Sequence, residues 1–104
     1  MFKSEVIKEI KNYVYILSDP ISGEIFYVGK GKGNRVFTHL KDNNDSDTGR
    51  RIKEIRARKS EPKIELLVHG VEDEFTIKKI EAAIIDLIDK NNLTNKIKGY
   101  ESSN

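Results

Sequence analysis

The chain has 104 residues, 37% of them hydrophobic and 35% charged, with a formal net charge of +2, which allows one compact domain with a real core. Cysteine is absent, which excludes disulfides and Cys-ligated zinc and fits a reducing, intracellular setting in cytoplasm or nucleoid. No apolar run approaches the ~18 residues of a membrane span, and Glu5 and Glu9 interrupt the stretch that a signal peptide would need apolar.

Phe2, Val6, Ile7 and Ile10 recur at helical spacing, so residues 3–10 are expected to form a short amphipathic helix. Asn12 to Ser18, NYVYILS, reads as a strand. Tyr13, Tyr15 and Leu17 point one way, Val14 and Ile16 the other, so a central strand covered on both faces is expected. Asp19-Pro20-Ile21-Ser22-Gly23 is turn chemistry, and Glu24 to Gly29 returns as the second strand of an antiparallel hairpin. Pairing Ser18 with Glu24 puts Tyr15 opposite Tyr27, with both rings on one face. The strand is expected to break at Gly29, Gly31 and Gly33. A helix then runs from about Asn34 to Lys41, with Arg35 and His39 four apart on one side. Asp42 to Gly49 reads as a polar loop and Arg50 to Lys59 as a basic helix with Ile52 and Ile55 inward. Pro62 to Val68 is a third strand, ended by His69-Gly70. The last helix covers about Asp73 to Lys90, with Ile77, Ile80, Ile84, Ile85, Leu87 and Ile88 on one apolar face. Asn91-Asn92 is a C-cap signal, and residues 96–104 read as a fraying tail.

Charge is uneven along the chain. Residues 30–59 hold ten Lys/Arg against four Asp/Glu, a balance of +6 that leaves the remainder at −4. Such a middle is either a localised anion-binding surface or a solvated face. Lys30, Lys32 and Arg35 flank the three glycines, and a strand, a glycine-rich turn and a basic helix start suit a phosphate. The spacing is not that of a nucleotide-binding P-loop. Arg50, Arg51, Lys53, Arg56, Arg58 and Lys59 mass on the next helix without aromatic or amide partners, a pattern suited to phosphates more than base edges. Glu81 falls inside the apolar stripe, four after Ile77 and three before Ile84. A carboxylate there is ion-paired, ligated to a metal, or set where a cleft admits water, and the pattern leaves all three open.

Taken in order, these features resemble the GIY-YIG endonuclease domain over about Asn12 to Gly99. Tyr13-Val14-Tyr15 stands at the family's Gly-Ile-Tyr and Tyr27-Val28-Gly29 at its Tyr-Ile-Gly. Arg35 matches the helix arginine, His39 the following His/Tyr position, Glu81 the metal-binding glutamate and Asn95 the late asparagine. Tyr13 replaces the first glycine, as is common in the similar subgroup of nucleases fused to ankyrin repeats and a LEM domain and their bacterial relatives. The resemblance implies a small α/β fold filling residues 1–104, a three-stranded, largely antiparallel sheet flanked by helices. It implies a metal-dependent DNA endonuclease needing no membrane; the massed cations and the lack of room for a base-reading module point to little sequence specificity, with any selectivity being for branched or distorted DNA. A non-cleaving nucleic-acid module of the same fold and an RNA-directed nuclease are the alternatives. Implied roles follow. Glu81 holds one Mg²⁺ or Mn²⁺, and Arg35 binds a phosphate oxygen. Tyr15 acts as general base or orients the water, its hydroxyl acidified by Lys30 and His39 from an ordinary pKa of about 10. His39 passes the proton on, and Tyr27 holds phosphate or water. Asn95 ties down the loop after the last helix, and the three glycines admit the DNA backbone. Tyr13 is left to core packing.

Overall fold

The computed structural model describes residues 1–41 and 46–88. Along them run α1 (Ser4–Ile10), β1 (Asn12–Ser18), β2 (Ile25–Lys32), α2 (Arg35–Lys41), α3 (Asp47–Ala57), β3 (Lys63–Val71) and α4 (Glu74–Leu87). The strands form one antiparallel sheet in the order β2-β1-β3. This is the α/β architecture expected from the sequence. The loop tip at 42–45, the end of the last helix, Asn95 and the tail lie outside the described residues.

Every residue of β1 is buried, because the strand is central and helices cover both faces. On one face Tyr13, Tyr15 and Leu17 pack with Phe26, with Val36 and Leu40 of α2, and with Ile52 and Ile55 of α3. On the other, Val14, Ile16 and Val28 meet Ile77 and Ile85 of α4. Each such large side chain contributes about 1.5–3 kcal/mol of burial. The strand order leaves the outer side of β2 as a free edge at the margin between the two cores.

Several boundaries differ from expectation, each for a local reason. β2 does not stop at Gly29 but continues to Lys32, carrying Gly29 and Gly31 inside the strand; of the three glycines, Gly33 makes the turn, with φ +60°. Ser18 pairs with Ile25 and not Glu24, and the register shifts by one more residue between Leu17 and Ser18, so Tyr27 pairs with Leu17 and Tyr15 with Gly29. Tyr15 and Tyr27 still share a face, as diagonal neighbours with ring centroids 6.0 Å apart. β3 runs on through His69 and Gly70 to Val71, and these two form a bulge opposite Tyr13. α3 starts earlier, at Asp47, because Ser46 caps it by accepting the Gly49 amide at 3.0 Å. It ends at Ala57, and Lys59 follows in the left-handed region with φ +60°. Leu87, expected on the apolar face of α4, is 85% exposed.

Candidate active site

Two tyrosines and two glycines set the geometry. Tyr13 pairs across the ladder with Gly31, and Tyr15 with Gly29. Each ring lies over the glycine opposite. A Cβ built on Gly29 would stand 2.7 Å from the Tyr15 hydroxyl and 2.6 Å from the Tyr27 ring, and one on Gly31 would stand 2.9 Å from the Tyr13 hydroxyl. These glycines therefore make room for tyrosine rings, which is why a strand can contain them without breaking.

The two hydroxyls go to different partners. Tyr13 donates to the Gly33 carbonyl at 2.7 Å and accepts the Val36 amide at 3.3 Å, which joins the glycine turn to the start of α2. Tyr15 lies 2.9 Å from His39 Nδ1, and the His39 ring stands edge-on to Tyr27 at 4.7 Å. α2 delivers His39 from one side of the ring pair; Arg35, one turn earlier, acts on the Tyr13 hydroxyl by its charge. Burial pushes the Tyr15 hydroxyl far above the ordinary tyrosine range, and the adjacent Tyr27, Tyr13 and Glu81 push it further. The expected acidification of Tyr15 by Lys30 and His39 is thus reversed: the group is a neutral phenol. Tyr27 is raised too, by burial first and then by the Glu81 carboxylate, while the neighbouring Tyr15 hydroxyl opposes the shift.

Glu81 reaches the same place from the opposite core. α4 packs under the Val14 face, but Glu81 projects at the free edge of β2, where the Lys30 charge and backbone amide both favour its ionised form. Burial outweighs them and holds its carboxyl above the usual range. Phenols, imidazole and carboxylate thus meet at one strand edge, with the Arg35 guanidinium beside Lys30 and Lys32 at the far end of β2.

A model of the LEM-3-like GIY-YIG domain matches residues 5–103 of the chain. The chain belongs to that family. Among curated proteins and among solved structures, no match to it was found. Membership makes nuclease activity on a nucleic-acid substrate the family expectation, and GIY-YIG nucleases generally depend on a divalent metal.

The donors around Glu81 fit a hydrated cation and not a caged one. Among the described residues no group of three or more His, Asp or Glu side chains could enclose a metal. A single half-buried carboxylate suits a hard cation that keeps its waters and borrows phosphate oxygens. Asn95, the remaining motif residue, lies outside the described residues.

The basic helix is tied up in a way its sequence hides. Arg50 pairs with Asp47 and Arg56 with Glu61. Arg51 reaches Asp19 and Glu24, and Arg58 reaches Asp19 at 2.6 Å. Asp19 is buried, accepts the Ile21 amide at 2.9 Å, and fastens the β1–β2 turn to α3. Its Arg58 partner and the Ile21 amide hold its carboxyl below the usual range. Four of the six basic residues singled out on this helix are therefore held by carboxylates, whereas Lys32 and Arg35 have no ion-pair partner among the described residues. Asp19 was legible only as a turn former, since its second role needs α3 to fold back over the hairpin.

Proposed function

We propose that this chain is a metal-dependent DNA endonuclease whose reaction takes place at the β2 edge. The observation that carries this reading is the Tyr15–His39 hydrogen bond beside Tyr27, with Glu81 reaching the same tyrosines from the other core and Arg35 next to Lys30 and Lys32 at the end of β2. The roles follow from the geometry. With the His39 proton on Nε2, the Tyr15 hydroxyl donates to Nδ1 and can accept a proton from an attacking water as it gives its own away. Tyr15 works here as a neutral relay, which its raised pKa permits and a standing phenolate would contradict. Tyr27, half-buried beside it, orients the water or a phosphate oxygen. Arg35 neutralises a non-bridging oxygen, and the Lys30 charge favours the ionised form of Glu81 against the burial that raises its pKa. Glu81 is the residue that would hold Mg²⁺ or Mn²⁺, which when bound supplies positive charge for the leaving 3′ oxygen. The cations on and just after α3, Arg50, Arg51, Lys53, Arg56, Arg58 and Lys59, add a secondary positive field along the flank.

The test is incubation with supercoiled plasmid, branched DNA and RNA, each with Mg²⁺ and with chelator. DNA should be cut in Mg²⁺ alone. Glu81→Gln should abolish cutting and leave binding and fold in place. Normal cutting by that variant would remove Glu81 from the reaction, and cutting of RNA alone would replace the substrate.

A further inference from the structure

Beside the candidate site lies an open groove of about 440 Å³ at the far end of β2, lined by Lys30, Lys32, Arg35, Ile7, Ile77 and Glu74 among others. Lys30 and Lys32 pair with Val14 and Asn12, so both point to the α4 face, opposite the tyrosines. They sit one strand repeat apart, about 6.6 Å. Lys30 faces Glu81, and Lys32 and Arg35 have no ion-pair partner among the described residues. Gly31 and Gly33 leave the wall between them without side chains. Glu74 on the first turn of α4 is the acidic member, so three cations stand against one carboxylate.

A row of cations along a bare backbone edge fits a linear polyanion better than an isolated ion, whereas α3 spends most of its arginines on internal carboxylates. Resting on the nuclease reading above, we infer that this groove carries the DNA strand next to the scissile phosphate: Arg35, shared by site and groove, holds the scissile phosphate, and Lys32 takes the neighbouring one. Glu74 sets an upper limit on affinity there, which helps a product strand leave.

Binding is measured by fluorescence anisotropy of a labelled DNA duplex, with the full chain carrying Glu81→Gln to prevent cutting. Lys32→Gln should weaken binding several-fold and make the log–log salt slope shallower by about one unit, with the melting temperature unchanged. Glu74→Gln should tighten binding about two- to fivefold, as removal of one nearby repulsive charge predicts; a gain cannot be ascribed to misfolding. Lys63→Gln, on β3 at the other edge of the sheet, is the control and should bind as the parent does. On a branched duplex whose cleavage position has been mapped with the Glu81-containing chain, neutral methylphosphonate linkages placed one at a time beside that position should weaken the parent at one linkage and leave Lys32→Gln unaffected there. Unchanged affinity in both Lys32→Gln and Glu74→Gln, or no measurable binding at all, overturns the groove. Cleavage by the Glu81-containing chain is scored separately. Groove coupling without any cutting would refute only the nuclease reading, and cutting without coupling only the groove.

Discussion

Tyr13 and Tyr15 stand two apart on β1, both buried, yet their hydroxyls do different work. Tyr13→Phe leaves the Gly33 carbonyl and the Val36 amide without their partner, so it should cost about 1–3 kcal/mol in urea unfolding. Cleavage per folded molecule should change little. Tyr15→Phe should do the reverse, costing about a hundredfold or more in rate with a small stability change, as should Arg35→Ala. Equal effects at Tyr13 and Tyr15 would refute the division of labour. Gly29→Ala should behave like Tyr15→Phe, because the added methyl forces the Tyr15 and Tyr27 rings aside. If it cuts normally, ring position is not what the glycine protects. The identities of these residues were legible in the sequence, carried by motif order. Their pairing was not: the turn pairs Ser18 with Ile25 instead of Glu24, and the Leu17/Ser18 bulge adds one more residue, so together they moved Tyr15 from Tyr27 to Gly29; no pattern of residue types records a bulge. The direction of the Tyr15 shift was missed for a related reason, since lysine and histidine were counted and burial was not.

At the scale of elements, all seven helices and strands were readable from periodicity, and their ends moved where capping or tertiary packing intervened. α3 is the instructive one. Its amphipathic pattern located it, but its charges read as a free basic face because Asp19, Glu24 and Glu61 come from other segments. The Asp19 hub makes a pH prediction. Its native pKa lies below that of the unfolded chain, about 4. The stabilisation is therefore full above the unfolded value and is lost as pH falls through the lower native one. Asp19→Asn should lower the melting temperature at neutral pH and flatten the acid limb of the stability curve. An acid limb unchanged by the substitution would show that other carboxylates set it. Lys59→Gly should raise the melting temperature, since glycine carries no penalty at φ +60°. A fall would mean that its side chain makes a contact worth more than the backbone strain.

For the whole molecule, the decisive arrangement is a sheet with helices on both faces and a site on its margin, which lets α2 and α4 contribute from opposite cores. The domain match takes up residues 5–103, so the described elements are those of the nuclease core and include no separate base-reading module. Cleavage mapped on a long random-sequence duplex should show little sequence consensus, with any selectivity following DNA shape such as branches or flexible junctions. A sharp consensus of several base pairs from the isolated chain would overturn this. The ring-over-glycine pairs also bear on how such a domain can change over time. Position 15 and position 29 share one volume, as do 13 and 31. A larger residue at either glycine is tolerated only if the rings facing it yield space, so glycine and tyrosine are inherited together. Gly29→Ala combined with Tyr15→Ala should restore none of the cutting, because the room for the methyl comes from removing the hydroxyl that meets His39. Drift can thus preserve the scaffold through paired exchanges, and any lineage that takes that route at 15 and 29 gives up the reaction.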